Sequence, residues 1–488
     1  MQNFFHGVQA RIDRHLRALQ MLLSLLTAAT LALFSVQSGP LANLYYIETW
    51  EARRALIVLV FALLPPVMAY IIFVRGARGL NFFFLYGALT AALVLRTTTL
   101  SQIVGDYEIT HAFVDQLALE GLGSAGAQAG SFGLIGTYLL DLIARLPIRE
   151  IYLIKYFAIA CDFALALSVC ALVDRFVDRR RGTFALLAVL YNPLTWLTSV
   201  YWGKWDALCA LLAVLSLYAL LCRRRALCAA LFALAYAAQA EALFLLPLLF
   251  LWPHHGLRAR HLGAALCTLL VITLPLAMAC GPLPALAAVA PSRLFAQSGA
   301  QLQNCAPTLY QFVPSANIAY TEEFSYLRYV PGVEAAERSK WYTQASIDRL
   351  FTAGVYAALI VLLGCAAACR RLRSAVSRDQ LWQVLLIGAL FTPMILPGMN
   401  ARSFYLPALL SLFYALRYEG RMRVPVLVMG ATFLGYVPAL TAQYTAGLTV
   451  AMAMNVAALL QIARDFTAAI APRVNDAPEL VPKAQNRI

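Results

Sequence analysis

Long, uninterrupted apolar runs alternate with short polar segments along the whole chain. They cover roughly 18–37, 55–74, 79–95, 151–173, 184–200, 207–222, 262–280, 350–369, 380–397, 404–416, 424–444 and 447–463. Most approach the roughly 20 residues that a helix needs to cross about 30 Å of hydrocarbon. None shows the period of two that a transmembrane strand requires. The pattern predicts an all-α polytopic membrane protein with about twelve transmembrane helices.

Composition supports this class. Hydrophobic residues make up 61% and charged residues 13% of 488 positions, and the mean hydropathy is +0.71, too apolar for an ordinary soluble domain. In a soluble protein a net charge of +14 would suggest a nucleic-acid partner. Here the arginines sit in short clusters between apolar runs, so the charge reports topology and no nucleic-acid partner is expected. With Arg11, Arg14 and Arg17 in the cytoplasm, Arg75/Arg78, Arg179–Arg181, Arg223–Arg225, Arg258/Arg260, Arg370/Arg371/Arg373, Arg417/Arg421/Arg423 and the tail all fall on that side. The ten cysteines lie mostly inside apolar runs and lack metal-ligand spacing, which suits small core residues. The first run has no small-residue cleavage site and is followed by further spans, so no cleavable signal peptide is expected.

One segment breaks the count. The run 226-ALCAALFALAYAAQAEALFLLPLLFLW-252 is long enough to cross, yet arginines flank it on what must be the same side. It suits a broken helical hairpin with Gln239 and Glu241 at its tip, because irregular backbone and an acid at depth persist where they line a cavity. A plain span with an inverted neighbour is the alternative. The expected layout is a single integral membrane domain, 1–488. It comprises N-terminal spans (1–95), an outward acidic loop with interfacial helices (96–150), core spans (151–280), an outward loop (281–349), C-terminal spans (350–463) and a cytoplasmic tail (464–488).

Unusual polar residues gather on the outward side. The stretch 96-RTTTLSQIVGDYEITHAFVDQLALEG-121 brings Asp106, Glu108, Asp115 and Glu120 just beyond a span. From 107 it predicts a helix with Ile109, Phe113, Leu117 and Leu119 on an apolar side. Asp115 and Glu120 suit a solvated helix surface, whereas Asp106 closely follows the span, where a lipid-borne and a water-borne substrate could meet. Lys155 and Asp162 are seven apart on one helical face. They form either a buried ion pair, with each other or with a neighbour, or substrate contacts lining a cavity. The turn 202-WGKWD-206 offers two indoles, a cation and an acid. Trp202 could anchor the interface or stack on a sugar, with Lys204 and Asp206 bonding hydroxyls or phosphate. In 399-MNARSFY-405, Arg402 sits at a span mouth where a guanidinium can grip phosphate, with Tyr405 beside it. There is no Walker loop, nucleotide fingerprint, HExxH or soluble catalytic domain.

From about 100 to 417 these segments, in this order, resemble the GT-C fold glycosyltransferases that use polyprenyl-phosphate sugars. The group includes dolichol-pathway mannosyl- and glucosyltransferases and bacterial relatives. Asp106 resembles the acid after an early span, and Lys155 and Asp162 resemble a basic residue followed seven later by Asp. WGKWDAL resembles a WGQxD turn, 238-AQAEALFLLPLLF-250 a Leu-Pro-rich hairpin return, and 399-MNARSFYLP-407 a Met-His-Glu-Arg-Tyr motif. The chain departs from the group in lacking Tyr-Pro-Pro within 128–142, in carrying Gln239 and Glu241 where many relatives have Lys, and in its altered last motif.

The resemblance implies a GT-C-like fold in a bacterial inner membrane, with its site facing the periplasm. The implied reaction is an in-line transfer with inversion from a polyprenyl-phosphate sugar to a hydroxyl of a lipid-linked or polymeric glycan acceptor. Asp106 would be the general base, and Arg402, with Lys204, would stabilise the departing phosphate. Trp202, Asp206, Glu108, Lys155, Asp162, Glu241 and Tyr405 would complete substrate binding. The scheme requires no metal or other cofactor, although Asp106 and Glu108 form a D-x-E pair that could hold Mg²⁺ or Mn²⁺. Two other classes stay open. A lipid or sugar transporter is also polytopic with charges at depth, and a polyprenyl-linked glycan polymerase or ligase works on the same face.

The arginine pattern makes one direct prediction. A cysteine introduced at Ser315, in the loop expected outside, should react with an impermeant maleimide added to intact cells. Labelling that begins only after permeabilisation would invert the topology.

Overall fold

A computed structural model of the chain describes residues 16–33, 50–100, 102–103, 107–245, 259–295, 305–312, 344–372, 376, 380–441 and 447–475. Among them every extended regular element is a helix, as expected for apolar segments that must satisfy each backbone group internally. Seven helices are long and apolar enough to cross a membrane, or eight if one bent pair counts as a single span. The chain is therefore an all-α protein with multiple membrane-spanning helices. The other expected spans coincide with shorter helices.

Two compact units partition the chain. The first comprises residues 1–240 and 263–294, and the second 241–262 and 295–488.

In the first unit α1 (Leu16–Leu33) is followed by α2 (Trp50–Phe61) and α3 (Leu64–Ala69), which continues as a π-helical turn over Tyr70–Val74. Then come α4 (Gly79–Thr97), α5 (Tyr107–Glu120), α6 (Ala129–Phe132), α7 (Leu134–Ala144), α8 (Glu150–Phe176), α9 (Arg179–Leu190) and α10 (Pro193–Trp196), which runs into a π-helical turn over Leu197–Tyr201. After α11 (Asp206–Leu221) and α12 (Arg225–Ala238), the unit takes most of α13 (Ala259–Cys280) and α14 (Pro282–Ala287). The bend of 43° between α9 and α10 has a local cause. Pro193 cannot donate a backbone hydrogen bond, and the Asn192 side chain instead caps the new start by accepting from Leu194 N at 3.1 Å.

The central helix is α8, packed against α9 and α11. Its 27 residues span about 40 Å at 1.5 Å per residue, enough to carry polar groups near both ends. Within it, Asp162 is fully buried and ion-paired to Arg96 of α4 at 2.9 Å. Arg96 uses its remaining donors on the Ala92 and Leu190 carbonyls, and Ser199 donates to the same carboxylate at 2.6 Å. In the second turn of α8, Lys155 Nζ donates to the carbonyls of Thr99, Leu100 and Gln102. It thereby holds residues just beyond α4, near a C-terminus whose dipole favours a cation.

A second apolar core joins α5, α7 and the surrounding segments, with Phe113, Leu117, Leu134, Leu140, Trp205 and Leu276 nearly inaccessible. The face of α5 that enters this core is Tyr107, Thr110, Phe113, Val114 and Leu117. Of the expected apolar side, Phe113 and Leu117 enter this core, whereas Ile109 and Leu119 are 61% and 87% exposed. At about 100° per residue the buried stripe centres between Thr110 and Val114, and both residues fall outside it.

The second unit contains α15 (Gln344–Leu372), α16 (Leu381–Ile395), α17 (Tyr405–Arg417), α18 (Arg423–Thr441) and α19 (Gly447–Asn475). Helix α17 is buried along nearly its whole length, between α16 and α18. At its far end Asp465 of α19 accepts from Tyr414 and pairs with Arg421 at 2.8 Å.

Removing one member of the buried pair should destabilise more than removing both. Arg96→Leu strands a buried carboxylate and should cost about 3–5 kcal/mol. The double variant Arg96→Leu/Asp162→Leu should recover much of that loss, as read by thermal unfolding in detergent. Equal melting temperatures for Arg96→Leu and the native protein would show that the pair carries no stability.

Candidate functional site

Three segments of the first unit converge at the N-terminal end of α8. The turn 202–205 enters through Gly203 at φ 64°, a conformation costly for other residues. A Cβ there would lie 3.3 Å from Ile151 Cδ1 and 3.5 Å from Lys155 Cγ. Lys155 in turn holds the 99–102 segment that leads towards α5. At the start of α8, Glu150 accepts a hydrogen bond from the Tyr107 hydroxyl. The polar end of α8 is thus shared by the exit of α4, the start of α5 and the WGKWD turn.

Tyr107, Glu150, Arg149 and His111 form the chemically richest group here. Arg149 Nε donates to the Tyr107 oxygen at 3.0 Å, and the guanidinium lies 5.6 Å from the ring centroid. His111 stacks on Tyr107 with centroids 5.7 Å apart. Its Nδ1 lies 3.0 Å from Glu150 and its Nε2 lies 3.5 Å from Asp115. Burial, and then the hydrogen bond to Glu150, push the Tyr107 hydroxyl up to about 12. It therefore stays a neutral phenol near neutral pH and orients Glu150 rather than acting as a base. The half-exposed imidazole is flanked by two carboxylates.

The WGKWD turn divides into an inner and an outer half. Trp205 and Asp206 are buried, whereas Trp202 and Lys204 are partly exposed. Trp205 packs so closely on α7 that a Cβ on Gly136 would come within 2.8 Å of its ring. Asp206 accepts from the Gln239 amide, and Gln239 is where α12 ends, with extended backbone. The expected break in the 226–252 segment is thus present at Gln239. Glu241 follows in a short 3-10 turn, Ala240–Leu245, and residues 246–258 lie outside the described residues. The end of α12 is held twice more. Arg293 donates to the Ala237 carbonyl at 3.4 Å and lies 4.5 Å from the Tyr236 ring centroid. Gly133, at φ 73°, leaves no room for a Cβ against the Ala238 carbonyl.

Asp106 lies outside the described residues. Its neighbour Tyr107 opens α5, and Glu108, in the first turn, is exposed. Lys155 and Asp162 are both buried and bonded to groups of their own unit. They do not pair with each other, and the seven-residue spacing reflects two separate tasks on one helix. In the second unit, Asn400 caps the 3-10 turn Ala401–Phe404 by accepting from Ser403 N at 3.1 Å. Arg402 is partly exposed on that turn, and Tyr405 is buried at the start of α17. A Cβ on Gly435 of α18 would come within 3.0 Å of Ala401, so this turn is closely supported. Among the described residues no cluster of three or more His, Cys, Asp or Glu is arranged to hold a metal ion.

Sequence reasoning missed Arg96, Tyr107, His111, Arg149, Glu150 and Arg293. Arg96 opened the quoted acidic stretch, and its position directly at the end of an apolar run was the available signal. Arg149 and Glu150 stand immediately before the longest apolar run and carried no such signal. No family model matches the chain, and no curated protein matches it significantly.

The contact at Gly133 is testable by substitution. Gly133→Ala combines an unfavourable φ with a clash against Ala238 and should lose more than about 1 kcal/mol. Gly87→Ala, in the open middle of α4 with nothing nearby, should be neutral or slightly stabilising. Thermal unfolding of both in the same detergent checks this, and equal effects would refute the close approach.

Proposed function

We propose that the chain is a GT-C type glycosyltransferase with about twelve crossings. It transfers a hexose or similar sugar from a polyprenyl-phosphate donor to an acceptor hydroxyl on the non-cytoplasmic side, with inversion. Its proposed place is the bacterial inner membrane with the site facing the periplasm, and the acceptor is a lipid-linked or polymeric glycan. The observation that carries the reading is the convergence at the N-terminal end of α8. The chain leading from α4, the acid-rich start of α5 and the WGKWD turn with the Gln239 break gather at one end of the helices. The arginines that follow α3 and open α9 lie at the other end of α4, α8 and α9.

In this reading Asp106 takes the proton from the acceptor hydroxyl. The partly exposed Trp202 and Lys204 contact the sugar and phosphate, while Trp205, Asp206, Lys155 and Asp162 hold those groups in place. Glu150, Tyr107 and His111 shape the charge beside the base. Arg402 is assigned to the donor phosphate by its fork of donors on a rigid turn, with Glu241 and Tyr405 as further substrate contacts. Deprotonating the acceptor and stabilising the departing phosphate suffice for the displacement, so the scheme has no step that calls for a metal.

Asp106→Asn keeps the shape and removes the basicity. It should lower kcat by roughly 100-fold or more while leaving expression and donor binding near native. Asp115→Asn and Glu120→Gln should be mild. Release of radiolabelled sugar from a panel of polyprenyl-phosphate donors in liposomes provides the assay. Full activity of Asp106→Asn with loss in Glu108→Gln would move the base by two positions, and cleavage of no donor would refute the glycosyltransferase reading.

A further inference from the structure

At the opposite end of the first unit from the candidate site, the starts of α4 and α9 enclose a cavity of about 610 Å³. Four arginines line it: Arg75, Arg78, Arg179 and Arg180. Arg75 is the inner one. Its side chain is only 7% exposed and is fixed by an ion pair to Asp174 at 3.0 Å and a bond to the Arg179 carbonyl at 2.7 Å. Its Nη1 is buried with no hydrogen-bond partner.

The remaining surroundings favour an anion. Arg78, Arg179 and Arg180 are exposed at the rim. The nearby carboxylates are already engaged, Asp174 with Arg75 and Asp178 as the cap of α9 and partner of Arg181. The lining itself contains no carboxylate, and Asn81 and Thr183 add neutral polar groups. The N-terminus of α4, which has no side-chain cap, also opens here, whereas that of α9 is capped by Asp178. Below the basic rim the lining becomes apolar, with Phe84 and Phe184 58% and 49% exposed. A free phosphate would leave those rings in contact with water, whereas a lipid would place acyl chain against them.

We propose that this cavity binds the phosphate headgroup of an anionic membrane lipid, with Arg75 fixing the charge of its inner wall and Arg78, Arg179 and Arg180 closing around the ligand. The packing behind it is equally specific. A Cβ on Gly182 would collide with the Asp174 carboxylate, so the glycine lets α9 approach the residue that orients Arg75. The site does not depend on the glycosyltransferase reading, and its test needs no sugar substrate.

The full chain in phosphatidylcholine nanodiscs, titrated with phosphatidylglycerol, provides that test by native mass spectrometry and thermal unfolding. Phosphatidylglycerol should be retained and should raise the unfolding temperature more than added phosphatidylcholine does, while inorganic phosphate at millimolar concentration reproduces neither effect. Arg78→Ala/Arg180→Ala removes two exposed cations and should weaken retention by roughly 10- to 30-fold, with an unchanged unfolding temperature in phosphatidylcholine alone. Equal retention of the two lipids by the native protein would overturn the site. So would unweakened phosphatidylglycerol binding in the folded double variant. An effect of inorganic phosphate equal to that of the lipid would show free phosphate to be the ligand.

Discussion

The arrangement of the first unit depends on a fully buried ion pair, Arg96 with Asp162. Two charges this far from water are held together by contacts that converge on one oxygen of Asp162, while its Oδ1 is buried with no hydrogen-bond partner. Arg96 reaches the Asp162 carboxylate and the Ala92 and Leu190 carbonyls, and Ser199 adds a hydroxyl to the same carboxylate. The guanidinium also lies 5.6 Å from the Phe163 ring centroid. These contacts tie α4 and α8 to both sides of the break between α9 and α10. Hydrophobic contacts alone would allow those helices to slide, since one apolar surface packs against another in many registers. A buried charge pair has one satisfying geometry.

Register set in this way is passed along α8 to its N-terminal end. Lys155 lies two turns from Asp162 on the same face, and its ammonium gathers the carbonyls at the end of α4. The WGKWD turn approaches that lysine through Gly203, and the inner half of the turn is fixed by Gly136 and Gln239. The exposed half, Trp202 and Lys204, therefore projects from a rigid corner. Preorganisation of this kind is what a polar site at a membrane boundary requires, because a side chain that must be ordered at the moment of binding loses affinity.

The two ends of α8 carry different chemistry for a physical reason. One end gathers acids, a phenol, an imidazole and indoles. The other carries Arg75 and the arginines of α9, with Asp174 as a local counter-charge. Separating these groups along about 40 Å of helix keeps their fields from cancelling. A lipid phosphate drawn to the basic end would then sit far from the carboxylates at the other.

The amino-acid sequence by itself determined the class and the helices. The length of the apolar runs and the absence of strand alternation are local properties, set by hydrocarbon thickness and backbone hydrogen bonding, so they are legible one segment at a time. The break at Gln239 and the helix at 107–120 were visible for the same reason. Partnership was not. The spacing of Lys155 and Asp162 suggested a shared task, yet each is satisfied by residues more than 30 positions away, and Arg96, Tyr107 and Glu150 became meaningful only beside those partners. The buried side of α5 was likewise decided by α7 and the core it faces, because several apolar residues surround that helix and only tertiary packing selects which of them are covered. Which polar residues face inward is a property of the neighbours that fold against them, and a single helix carries no record of its neighbours.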